Sequence, residues 1–189
     1  MPRPDDETSE PRPVARGGGF TLVELLVAMA MAWLLGAMAL PAFRDWLASY
    51  QLANHARDLA ETMTRARTEA VRRGHRVSLC KSADGSRCAA TGGWDAGFVV
   101  FGDINGDGQR DADEPLLGIG GPPPPGVTVQ ANRPLADYVS YTDVGHARML
   151  NGALQMGTFT VCRSGHRALS VVLAGSGRVR IDKAASRCP

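Results

Sequence analysis

Apolar and polar positions divide this chain into three textures. Residues 1–19 are polar and proline-rich, with Arg3, Arg12 and Arg16 set against Asp5, Asp6, Glu7 and Glu10. Such a composition buries too little apolar surface to order itself. From Phe20 to Phe43 almost every side chain is apolar, and Glu24 is the single charge. That run exceeds the roughly 20 residues a helix needs to cross a bilayer. Further on the pattern becomes amphipathic. Leu52, Ala56, Leu59, Met63, Ala66 and Ala70 recur at alternating steps of four and three, which is one face of a helix. Arg57, Asp58, Glu61, Arg65, Arg67, Arg72 and Arg73 fall mostly off that line and read as its solvated side. The helix signal continues to Arg73 and stops at Gly74, a C-cap residue. Gly36 and Pro41 lie inside it, and Pro41 removes a backbone donor, so a kink or a locally melted turn is expected there.

After Gly74 the texture changes to short runs of strand character: Val77–Cys80, Phe98–Phe101, Val127–Gln130, Tyr138–Thr142, Thr158–Cys162, Ala168–Leu173 and Arg178–Ile181. Turn signals separate them at Asp84-Gly85, Thr91-Gly92-Gly93, Gly120 to Gly126, Asn151-Gly152 and Gly175-Ser176-Gly177. No internal repeat is visible. The fold class this predicts is α+β: one long helix whose amphipathic half packs on an antiparallel sheet, since its apolar face has nowhere else to be buried.

The polar leader, the glycine that ends it and the apolar run that begins at Phe20 lack the A-x-A-like site of an ordinary secretory signal. An acid inside such a run is costly in lipid and marks a functional position. The stretch Gly19-Phe20-Thr21-Leu22-Val23-Glu24 resembles the class III signal of type IV pilins and pseudopilins. The resemblance implies that a prepilin peptidase cuts after Gly19, that Phe20 becomes an N-methylated amino terminus, and that Glu24 serves filament assembly. The expected domains are a leader over 1–19, a transmembrane and filament-core helix over 20–43, and a globular domain over 44–189 that includes the amphipathic half of the helix. The implied location is the inner membrane, crossed once, with the carboxyl-terminal domain periplasmic and carried to the cell surface in a pilus. The implied partners are other pilin or pseudopilin subunits.

Outside the cytoplasmic membrane disulfides persist. Cys80, Cys88, Cys162 and Cys188 allow three pairings. Cys80–Cys88 around a short loop is favoured, which leaves Cys162–Cys188 to tie back the last residues. Zinc is the competing reading, but the chain has no close C-x-x-C pair.

Net charge is a mild +2, but its distribution is uneven. Asp103, Asn105, Asp107, Gly108, Asp111 and Glu114 match the twelve-residue calcium-loop pattern. In that reading Asp103, Asn105, Asp107 and Glu114 converge on one hard cation, Gly108 makes the sharp turn and Asp111 acts through water. A strand precedes the loop and Pro115 follows it, so this would be a β-loop site and not an EF-hand. The competing reading is a turn held by its own side-chain to backbone bonds. No other cofactor is expected. Trp94-Asp95-Ala96-Gly97 leading into Phe98–Phe101 and this acidic loop resembles the GspH/FimT group of pseudopilins and minor pilins. Cys80 and Cys88 upstream fit the same resemblance.

The carboxyl end is basic: Arg163, Arg167, Arg178, Arg180, Lys183 and Arg187 against Asp182. In a strand Arg178 and Arg180 share a face, and guanidinium groups bind phosphates in a fork. Gly177-Arg178-Val179-Arg180 resembles the carboxyl-terminal stretch of FimT-like minor pilins, which implies DNA binding during natural transformation. The alternatives are a structural pseudopilin of a type II secretion system and a pilus-priming minor pilin, with arginines that pair with Asp182 or with neighbours in a filament. Catalysis has no support in the sequence: His55, His75, His146 and His166 are scattered, and Ser78, Ser164 and Ser170 sit in no nucleophile elbow.

Overall fold

The computed structural model describes residue 19 and residues 21–188. Phe20 and the leader upstream of Gly19 lie outside the described residues. Helix α1 spans Leu22–Arg73. It starts where the Thr21 hydroxyl accepts the Glu24 amide at 3.2 Å, satisfying one of the orphan donors of the first turn. It ends at Gly74, whose φ of 67° is the left-handed conformation that closes a helix, with its amide donating to Ala70 at 3.0 Å. The helix is unbroken at Pro41, so the melted turn expected there is absent. Proline removes one donor, and the turns on either side keep theirs.

The chain forms two compact units, Met1–Phe43 and Arg44–Pro189. In the first, the helical side chains from Leu22 to Phe43 are exposed almost throughout. The segment is long and apolar enough to cross a membrane.

The second unit adds eight strands: β1 Val77–Lys81, β2 Phe98–Gly102, β3 Leu116–Gly120, β4 Val127–Ala131, β5 Tyr138–Tyr141, β6 Gly157–Arg163, β7 Arg167–Leu173 and β8 Val179–Arg187. They form two antiparallel sheets and not one, in the orders β3-β2-β1-β5 and β4-β6-β7-β8. Leu52, Ala56, Leu59, Met63, Ala66 and Ala70 are all buried, joined by Ala48. Both sheets contribute to the core against this face: Leu79, Val100 and Tyr141 from the first, Val129, Val161, Val171 and Leu173 from the second.

Strand β3 is not expected from the sequence pattern. It is an edge strand, Leu-Leu-Gly-Ile-Gly, and its largely exposed side chains show no alternation. Its glycine content has a cause in packing: a Cβ at Gly120 would lie 2.1 Å from the Phe98 ring. The segment between Pro122 and Gln155 is held by two buried side chains. Trp94 Nε1 donates to the carbonyls of Leu135 and Ala136 at 2.9 and 3.1 Å, and its ring meets Phe159 edge-on at 4.9 Å. Gln155 accepts the Ser140 amide at 2.9 Å and donates to Pro134 and Tyr138 carbonyls at 2.9 and 2.8 Å. Cys80 is bonded to Cys88 and Cys162 to Cys188, with Cα separations of 5.4 and 5.6 Å.

Candidate functional site

Three parts of the chain carry the residues singled out by the sequence. At the helix start, Gly19 is exposed and Glu24 lies in the first turn. Thr21-Leu22-Val23-Glu24 has the order of a capping box, and the Thr21 hydroxyl to Glu24 amide bond is one half of it. An acid here also faces the positive end of the helix dipole. The Thr-x-x-Glu spacing is the sequence signal for this second, structural reason for Glu24.

The second part is the edge strand β8. Val179 and Ile181 pair with the buried Leu173 and Val171, so they share the core-facing side. Arg180 and Asp182 therefore point to the other face, where Arg180 Nε meets the Asp182 carboxylate at 2.8 Å. Arg178 precedes the strand, and its carbonyl accepts the Ala174 amide at 2.9 Å, closing the β7–β8 hairpin. At the far end Arg167 and Arg187 stand directly opposite each other in register. Lys183, opposite Leu169, joins Arg167 and His166 along a groove against Ser49, Leu52 and Ala53 of α1. Within the described residues, Arg167, Arg178, Lys183 and Arg187 are exposed and make no ion pair.

These cations do not form one patch. β8 bulges between Lys183 and Arg187, so the span from Arg180 to Arg187 is that of β7 from Val172 to Arg167, five residues of extended strand or about 17 Å. Arg163 belongs to neither group, because its guanidinium donates to Gln51 of α1 at 2.8 Å and ties β6 to the helix. The Cys162–Cys188 bond fixes the end of β8 next to the Arg167–Arg187 pair. The glycine before Arg178 has a structural role of its own. Gly177 has a φ of 81°, and a Cβ there would lie 2.1 Å from the Gly145 carbonyl oxygen. That same oxygen accepts Arg67 Nε of α1 at 2.8 Å.

The third part is the loop from Asp103 to Glu114. Asp103 is fully buried and Glu114 almost so. Asp103 Oδ2 accepts the Ser78 hydroxyl at 2.6 Å and the Gly108 amide at 3.2 Å. Ser78 and Ser140 hydroxyls lie 2.8 Å apart, and Ser140 accepts Arg76 at 2.7 Å, so two hydroxyls link Asp103 to a guanidinium. Glu114 accepts the Ile104 and Asp111 amides at 2.7 and 3.1 Å. Asn105 Nδ2 donates to Asp107 and Asp111, each at 3.0 Å. As arranged, no three acid, histidine or cysteine side chains among the described residues are gathered around one point. Beside the loop, the Asp84 carboxylate accepts the Arg87 and Ser86 amides at 3.0 and 2.8 Å, which holds its pKa well below the usual range.

A single amino-terminal helix whose amphipathic half is covered by antiparallel strands is the pilin architecture. The crystal structure of the type IV minor pilin FimU of Pseudomonas aeruginosa has this fold, with a TM-score of 0.56 and 18% identity over 75% of this chain and 95% of that one. A second crystal form of FimU gives 0.52, with 71% and 94% covered. This chain belongs to the GspH family, type II transport protein GspH, whose model matches residues 55–177. It is also 32% identical over 101 residues to a fimbrial protein of Dichelobacter nodosus, a match that spans 51% of this chain and 60% of that relative. The family is one of type IV pilins and pseudopilins, and membership implies assembly with other pilin subunits.

Proposed function

We propose that this chain is a minor type IV pilin, built into a pilus through its apolar helix, which binds duplex DNA along the exposed β7–β8 edge during natural transformation. In this reading a prepilin peptidase removes the leader after Gly19, Phe20 is methylated, and residues 20–43 hold the subunit in the inner membrane until assembly. The globular domain is then periplasmic, and at the cell surface once in a pilus. The chain is a substrate of processing enzymes and catalyses nothing itself.

The observation that carries the DNA reading is the pair of cation groups on β8 and its hairpin, exposed and mostly unpaired, with Arg167 facing Arg187 across the ladder. Like charges directly opposite each other destabilise a sheet, and a phosphate between them removes that cost. A spacing of about 17 Å along the sheet edge corresponds to roughly five base-pair steps of duplex. Guanidinium bonds to backbone phosphates confer affinity without sequence preference.

Arg178→Gln with Arg180→Gln in residues 44–189 is expected to lower affinity for unrelated duplexes by similar factors. It should reduce the slope of log K against log salt by roughly 2, one for each phosphate that the variant leaves unneutralised, with the melting temperature unchanged. Mobility shifts across a salt series measure this. The Arg180–Asp182 ion pair favours the second reading, a structural pseudopilin or pilus-priming subunit. Absence of any shift at low salt, or an unchanged slope in the double variant, decides for it.

A further inference from the structure

We infer that the Asp103–Glu114 loop is a calcium site. The inference stands on a buried carboxylate oxygen. Asp103 Oδ1 has no hydrogen-bond partner, although the residue is fully buried. Its other oxygen accepts both the Gly108 amide from the middle of the loop and the Ser78 hydroxyl of β1, so the carboxylate sits where the loop meets the sheet. A buried anionic oxygen with no partner costs free energy that a cation removes.

The second buried acid points the same way. Glu114 is 4% exposed and pairs with no cation among the described residues. Both of its oxygens accept amides of this loop, Ile104 and Asp111, so both are turned inward. Each carboxylate oxygen retains a further lone pair while holding one N–H. The guanidinium within the loop does not neutralise either acid. Arg110 donates to the carbonyls of Ser86 and Glu114 at 2.7 and 3.1 Å, and its Nε is buried without a partner. Asp103 reaches Arg76 only through two hydroxyls.

The rest of the loop supplies a ligand set of the right type and order. Counting Asp103 as the first position, Asn105, Asp107, Asp111 and Glu114 fall at the third, fifth, ninth and twelfth, and Gly108 at the sixth. The Gln109 carbonyl falls at the seventh, the position that ligates through its backbone. Gly108 has a φ of 72°, and a Cβ there would press on Leu150 at 3.1 Å. The Asn105 amide group now bridges Asp107 and Asp111, a dipole whose positive end lies between two acids. Calcium takes over that role when the Asn105 side chain turns its oxygen inward. A set dominated by carboxylates on a pliant loop suits calcium, because magnesium demands a stricter octahedron and holds its water. Binding would stiffen the end of the first sheet, since the loop joins β2 to β3 and Arg110 ties it to the Cys80–Cys88 loop at Ser86.

The test uses the full chain in detergent, stripped with a chelator and titrated with calcium chloride or magnesium chloride. The expected result is one calcium bound per chain, with a dissociation constant on the order of 10⁻⁴ to 10⁻³ M as in extracellular modules. Calcium at ten times that constant should raise the melting temperature by several degrees, and magnesium should raise it far less. Asp111 is exposed, so Asp111→Asn keeps the fold and is expected to weaken calcium binding several-fold. Glu114→Gln is expected to abolish the calcium-dependent shift. No heat of binding and no thermal shift at millimolar calcium, equal responses to both metals, or unchanged calcium affinity in Asp111→Asn would each overturn the inference.

Discussion

Trp94→Ala is expected to cost the globular unit about 3–5 kcal/mol, the range for removing a large aromatic side chain from a packed core. The ring is 3% exposed and packs on Phe98 and Phe159. Its indole N–H is also the donor for two carbonyls of the Leu135–Ala136 turn. The substitution therefore opens a cavity and leaves buried acceptors without a donor, and both effects act against the folded state. The effect should appear in urea unfolding of residues 44–189 as a lower midpoint with little change in slope. Trp46, largely exposed on α1, provides the contrast: Trp46→Ala should cost under about 1 kcal/mol. A Trp94→Ala domain as stable as the parent would mean that the tryptophan is not the pin between the two sheets.

Gly177→Ala is expected to cost about 2–4 kcal/mol, from a left-handed backbone that alanine resists and from overpacking against fixed backbone. The collision is with the Gly145 carbonyl, which the Arg67 hydrogen bond also holds in place. Thermal unfolding of this variant beside Arg178→Gln/Arg180→Gln separates the two halves of the Gly-Arg-Val-Arg stretch. The glycine should govern stability, and the arginines should leave it unchanged. Equal melting temperatures for Gly177→Ala and the parent would show that the turn has room the structure does not give it.

The helix face was fully legible, because a burial period of four and three needs no knowledge of what covers it. Leu52 to Ala70 are buried as the spacing requires. What covers that face was not legible. Alternation along a strand identifies an inner side but not a partner, so two four-stranded sheets read as one. Strand β3 escaped because an exposed edge strand with glycines at Gly118 and Gly120 carries no apolar alternation. The basic segment looked contiguous because its residues are close in sequence. Extended backbone spreads them along the sheet edge, and Arg163 turns back to Gln51. In the acidic loop, residue types and spacing were plain. The burial of Asp103 and Glu114 was not, because strand β2 runs straight into the loop and carries Asp103 into the interior with it.

A pilin-type subunit is recognised by its processed amino terminus. The protein should be extracted from membranes of a cell that carries its own prepilin peptidase, and its amino-terminal peptide identified by mass spectrometry. A peptide beginning at Phe20 and carrying a methyl group is the predicted result, with Gly19→Val leaving the leader attached. A mature chain that begins at Met1, or one cut beyond the apolar run so that residues 20–43 are lost, would contradict the account of this protein as a pilin-type subunit.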